Sequence, residues 1–171
     1  LFVLDLFDNL IDFNRLKFFS GSGEMIAVPR LIGEVSIRLF VRHGDQQKAL
    51  DFYESVFGAQ VVGRPYLHNG ELIAAELRMG ASVVMIVGAN PKRDADASLG
   101  GPRSVHAIGA TPVMLDIHVD DVDRVMHHAI EEGGNLRNEI ETLDSGDRAG
   151  VLTDPFGHLW VVKSRRKHIA A

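Results

Sequence analysis

One pattern occurs twice in this chain and restricts the fold more than any other feature. An alternating apolar stretch, "EVSIRLFV", runs into "HGDQQKALDFYESVFGA". There Asp45 stands where a helix N-cap belongs, Ala49, Phe52, Tyr53 and Val56 recur at helical spacing, and Gly58 supplies a stop. Three strand-like stretches follow: "QVVGR", "ELIAAELRM" after the turn "HNG", and "SVVMIV". The order then returns. "VMLDIHV" leads into "DDVDRVMHHAIEEGG", capped by Asp121 and stopped at Gly133 or Gly134, and "NLRNEIE", "RAGVLTD" and "HLWVVK" complete it. Asp45 and Asp121 lie 76 positions apart, as do Gly58 and Gly134. The repeat predicts an α+β chain of two βαβββ modules, 34–88 and 112–167, the second followed by a tail over 168–171. Between them, residues 89–111, "ANPKRDADASLGGPRSVHAIGAT", read as a linker.

Residues 1–33 form an N-terminal extension of different character. Val3, Phe7, Leu10 and Ile11 share one helical face, away from Asp5, Asp8 and Asp12, before "SGSGE" breaks the pattern. The extension reads either as a docking helix that recruits a partner or as a leader preceding a natural start at Met25. It lacks the basic n-region of a signal peptide, and no apolar run reaches the ~18 residues of a membrane span. The expected location is the cytoplasm. The chain has no cysteine, so a thiolate metal site and a cysteine nucleophile are excluded. A formal net charge of −5 disfavours a nucleic-acid binder, which needs a basic face.

The ordered set "ALDFYESVFGAQVVGR", "DIHVDDVDRVMHHAIEEGG" and "GDRAGVLTDPFGHLW" resembles the vicinal-oxygen-chelate superfamily, which includes glyoxalase I, bleomycin-resistance proteins and extradiol dioxygenases. The phosphonate-operon-type glyoxalase-like branch is the most similar in its "FY..VFGA" and "DPFGH.W" pieces. The resemblance implies curved half-barrel sheets around a cup, helices on the outer face, and a homodimer. It also implies a divalent metal held by one side chain from the first and one from the last strand of each module. The first-strand ligand stands seven residues before the capping Asp, which gives Arg38 and Met114. The last-strand ligand stands four residues after a turn glycine, which gives Val84 and Val161. None is an oxygen or imidazole donor, and Arg38 is a fixed cation. No metal and no other cofactor is expected there.

Strand alternation extends the lining. Ser36 and Phe40 follow Arg38 inward, with Ser82, Val84 and Ile86 beside them. Met114, Asp116, His118, Leu159, Val161 and Lys163 line the second half. Arg38, Phe40, Met114, Asp116, His118, Val161 and Lys163 are therefore the expected small-molecule contacts, with His118 the candidate acid–base catalyst. Arg38 either pairs with Asp116 or takes an acidic group of the ligand. Two functions follow: a metal-free binder of a small anionic or aromatic molecule, or a lyase, isomerase or dioxygenase using unusual ligands or His118. His158 reads as a locally hydrogen-bonded turn residue, Trp160 as packed on a helix with its N–H needing a partner or an exposed edge, and Tyr53 as core with its hydroxyl at the edge. His127 and His128 read as facing solvent or the opposite layer.

Overall fold

The computed structural model describes residues 35–164. Both readings of the N-terminal extension, and the tail, fall outside them. From Ser36 onward the described residues belong to one compact unit. The first module runs β1 (Ile37–Val41), α1 (Gln46–Phe57), β2 (Gln60–His68), β3 (Glu71–Met79) and β4 (Ser82–Gly88). A connecting segment carries α2 (Pro91–Ala95), a single 3₁₀ turn (Ala97–Leu99) and α3 (Val105–Ile108). The second module runs β5 (Met114–Val119), α4 (Val122–Glu131), β6 (Asn135–Thr142), β7 (Arg148–Thr153) and β8 (Leu159–Ser164). No helix among the described residues is long and apolar enough to cross a membrane.

Each module builds its own open four-stranded sheet, ordered β1-β4-β3-β2 and β5-β8-β7-β6. The helix crossover makes β1 parallel to β4 and β5 parallel to β8, while hairpins make the other pairs antiparallel. One face of each sheet is covered. Leu39, Val41, Leu77 and Ile86 of the first sheet are buried in one cluster with Phe52, Tyr53 and Val56 of α1. Leu152, Trp160 and Val162 join the same cluster with Met126 and Ala129 of α4. Burying each large apolar side chain contributes about 1.5–3 kcal/mol. The opposite face of each sheet is open, which is why alternate strand positions read as exposed or half-buried.

The ends of α1 differ from the sequence expectation at one point. Gly58 does close the helix in the left-handed region (φ 63°), where a Cβ would be strained. Asp45, however, makes no side-chain cap, and its carboxylate binds Lys48 at 2.8 Å instead. Gln46 ties down this end. Its Oε1 accepts from Gly44 N at 2.6 Å and its Nε2 donates to Leu72 O at 2.7 Å, with the residue buried. Gly88 makes room for it, since a Cβ there would lie 2.2 Å from Gln46 Nε2. Asp121 caps α4 as expected, accepting from Arg124 N at 3.0 Å.

The segment read as a plain linker is folded. Asp94 accepts from Ser104 N at 2.9 Å and from Ser104 Oγ at 2.6 Å, and Arg103 donates to the carbonyls of Asp94 and Ala107. Its helices are single turns held by polar caps, so they leave no apolar period in the sequence.

Candidate functional site

The second sheet's open face carries Asp116, His118 and Lys163. Asp116 pairs in register with Val161, and His118 with Lys163. Lys163 leans back along the strand and its Nζ meets Asp116 Oδ1 at 2.5 Å, with the two side chains 36% and 53% exposed. An open cavity of about 430 Å³ lies at this end of the sheet, lined by His118, Lys163, Ser164, Leu143, Ser145 and Asp147. The last three of these belong to the β6–β7 connection, "LDSGD", which sequence reasoning passed over. Its loop closes through Leu143 N to Asp147 O (2.8 Å) and Ser145 Oγ to Asp147 Oδ2 (2.9 Å). The only signal for it was a turn-rich string between two strands.

Most of the expected lining is where alternation places it. Met114, 54% exposed, shares the open face with Asp116 and His118, while Leu115 between them is buried. Val161 and Lys163 alternate with buried Trp160 and Val162. On the first sheet Arg38 and half-buried Phe40 alternate with buried Leu39 and Val41. Val84 and Ile86 are the correction. Arg38 pairs with Met85, whereas Ile37 pairs with Val84 and Leu39 with Ile86. Val84 and Ile86, and Ser82 by parity with them, therefore take the helix-covered side, and Val83, Met85 and Val87 share the open face. Gly80 and Gly157 each stand two residues before their strand, but β4 begins at Ser82 on the covered side and β8 at Leu159 on the open side. The same count from a turn glycine thus lands on opposite faces of the two sheets. Arg38 and Asp116 stand on different sheets, and the ion pair formed at Asp116 is with Lys163.

Behind the second sheet lies a buried polar hub. The carboxylate of Asp154, 2% exposed, accepts from Tyr53 Oη at 2.6 Å and Trp160 Nε1 at 2.9 Å. It also accepts from the backbone N–H of Phe156 and of His158, both at 2.9 Å, and His158 Nδ1 stands 3.3 Å away. Burial pushes the Asp154 carboxyl upward. The hydrogen bond and charge of His158, with the hydrogen bonds of Tyr53 and Trp160, outweigh it and hold the group below the usual carboxylate range. Burial, then the charge of Asp154 and the hydrogen bond to it, push the Tyr53 phenol well above its ordinary value. His158 is thus locally bonded as expected, and Trp160 packs 4.8 Å from Phe57 of α1, centroid to centroid. The Tyr53 hydroxyl is not at an edge. It crosses from the first module's helix to the second module's turn.

This duplicated βαβββ architecture, with its open sheet faces, defines a class of proteins built from paired modules. Residues 35–162 match the family model of the Glyoxalase/Bleomycin resistance protein/Dioxygenase superfamily, and the chain belongs to that superfamily. An uncharacterized protein of Mycobacterium bovis is 36% identical over 117 residues, covering 68% of this chain and 74% of the relative. A PhnB protein from Bacillus cereus aligns over 78% of this chain and 100% of its own, with TM-score 0.56 and 17% identity. The fosfomycin resistance protein FosX from Mesorhizobium loti aligns over 80% and 95%, with TM-score 0.53 and 16% identity. At these identities the two structures establish the shared fold.

The residues present do not fit the divalent metal that the superfamily's enzymes hold. Met114, Val161 and Arg38 stand at three of the positions where the resemblance implies ligands. On β4 the open face offers Val83, Met85 and Val87. None is an oxygen or imidazole donor, and a guanidinium repels a cation. Among the described residues no group of three or more His, Asp or Glu side chains stands together in a way that would hold a metal ion.

Proposed function

We propose that the protein is a cytoplasmic homodimer that binds a small organic molecule on the open faces of its sheets, without a metal at the superfamily's ligand positions. The observation that carries this reading is the cavity at His118 and Lys163, which sets these and the polar groups of Ser145, Asp147 and Ser164 beside the apolar side chain of Leu143. Two open faces with exposed Tyr66 and Met114 supply apolar surface for a ligand and for a second subunit. The dimer is what the family resemblance implies. Phe40 on the first sheet offers an aromatic ring to a ligand with an aromatic group.

The test pairs elemental analysis of protein purified without added metal with thermal melts against a panel of small organic acids and antibiotics. A compound that raises Tm without being turned over, in protein free of stoichiometric metal, supports the reading, because a ligand of the native state must stabilise it. Stoichiometric Zn, Ni, Mn or Fe overturns it.

A second reading is an enzyme. His118 lines the cavity next to Lys163, and a neutral imidazole there serves as a general base for a lyase or isomerase step. Turnover of a panel compound that is lost in His118→Ala distinguishes this reading from binding alone.

A further inference from the structure

The helix layer carries a nucleophile that the open-face reading does not use. Ser55 projects from α1 and its Oγ lies 2.8 Å from His128 Nε2 on α4. On the same helix, one turn later, Glu131 Oε2 lies 3.4 Å from His128 Nδ1. The other oxygen of that carboxylate stands 3.3 Å from His127 Nδ1. The arrangement selects one tautomer: Nδ1–H donates to Glu131, and the Nε2 lone pair accepts the Ser55 hydroxyl proton. A hydroxyl within hydrogen-bond reach of an imidazole, itself oriented by a carboxylate, is the constellation that activates a serine.

A mere bond between helices would need no substrate space beside it, yet this one opens onto a groove. The groove between α1 and α4, of about 250 Å³, is lined by Ser55, Val56, Arg124, Val125 and His128, together with Asp120 and Asp121. Val56 and Val125 give it an apolar floor. Arg124 lies one turn before His128, and its guanidinium makes no ion pair among the described residues. It supplies a cation for the oxyanion that develops when an acyl carbonyl is attacked.

We propose that this groove is an acyl-transfer site for small esters, with Ser55 as nucleophile, His128 as general base and Glu131 as the positioning residue. Ser55 Oγ forms a bond to the carbonyl carbon as its proton passes to His128 Nε2. Collapse of the tetrahedral adduct breaks the bond to the leaving oxygen, which takes the proton from Nε2. Water then adds to the acyl-serine, its proton passes to Nε2, and the free acid departs as Ser55 recovers its proton. Nothing is oxidised or reduced, and water is the sole co-reactant.

p-Nitrophenyl acetate is the probe, used with the full chain, and intact-protein and peptide mass spectra locate any acetyl group. The expected result is a protein-dependent rate that falls about 100-fold or more in Ser55→Ala and in His128→Ala, the range a positioned general base contributes. An acetyl group on Ser55 accompanies it. Glu131→Ala lowers kcat with KM unchanged and Glu131→Asp recovers part of it, a pattern that a purely structural carboxylate would not give. His106→Asn, an exposed histidine on α3, leaves the rate unchanged. Ser55 and His128 lie outside the buried core, so both variants retain the fold. Equal rates in wild type and Ser55→Ala, or acetylation confined to lysines, overturns the proposal.

Discussion

Replacing Tyr53 by Phe isolates one hydroxyl of the buried hub. The ring stays, and with it the packing against Trp160 at 5.6 Å and Phe57 at 6.1 Å between centroids. The hydroxyl's 2.6 Å hydrogen bond to Asp154 is lost, together with its 3.3 Å contact to His158 Nδ1. Asp154 keeps Trp160 Nε1, two backbone N–H groups and His158, so its charge is not orphaned. A hydrogen bond to a charged acceptor is worth about 1.5–3 kcal/mol, which sets the expected loss at about 2 kcal/mol. For a unit of this size that lowers Tm by about 6 °C or more. Asp154→Ala is the harsher change. It strands the Tyr53 hydroxyl, the Trp160 N–H and two backbone N–H groups in the interior, each costing about 1–3 kcal/mol. The total approaches the ~5–15 kcal/mol that keeps a domain folded. Circular-dichroism melts at neutral pH read both variants. A Tyr53→Phe melt within about 1 °C of wild type, or one as low as that of Asp154→Ala, refutes the reasoning. The pH dependence has a definite sign. The Asp154 carboxyl titrates lower folded than unfolded, so its contribution is full above the unfolded value of about 3.9 and is lost as pH falls through the folded value. Tyr53 titrates higher folded than unfolded, so its contribution is full below about 10 and is lost as pH rises toward the folded value. Between these limits the gap between wild type and Tyr53→Phe is flat.

Gly88→Ala drives a methyl group into Gln46, freeing its bonds to Gly44 and Leu72. The expected cost is about 2–4 kcal/mol, read from denaturant melts. Asp116→Asn removes a half-exposed ion pair and changes stability by less than about 1 kcal/mol, while the freed Lys163 ammonium tightens binding of any anionic ligand in titration calorimetry. Dialysis against a chelator leaves Tm unchanged, because the open-face positions supply no metal whose loss would destabilise the fold.

How much of this was legible depended on which force set each feature. The eight strands and the two long helices were readable because burial imposes a period, and Leu39, Phe52, Val56, Leu115 and Trp160 keep that period. The faces of β5 and β8 followed from the same rule. The face of β4 did not, because a turn glycine two residues before a strand does not say on which face the strand begins, and β4 and β8 begin on opposite faces. The partner of Asp116 was likewise hidden. Pseudo-symmetry suggested Arg38, but Lys163 is two register positions from Asp116 on an adjacent strand, and proximity within a sheet prevails over correspondence between sheets. Tyr53 to Asp154 spans 101 positions, and no local pattern announces a bond of that range. The caps of α2 and α3 were present as Asn90-Pro91 and Ser104, but one-turn helices give no second signal to support them.

These features divide the molecule's work between two sides of its sheets. The helix side holds the structural constraint. Apolar packing, Gln46 under Gly88 and the Asp154 hub all lie there, and the hub fixes the first module's helix to the second module's last hairpin. The open side carries few such obligations: Arg38, Met114, Asp116 and His118 are exposed, and their replacement leaves the core untouched. A fold built this way tolerates changes of side chain at these open-face positions with little cost to stability, because they lie outside the core cluster. The relation is testable in one direction. Met114→His combined with Val161→Glu leaves Tm within about 3 °C, given substitutions outside the core worth about ±0.5 kcal/mol each. A collapse of the fold on that exchange would show that the open face is part of the structural core after all.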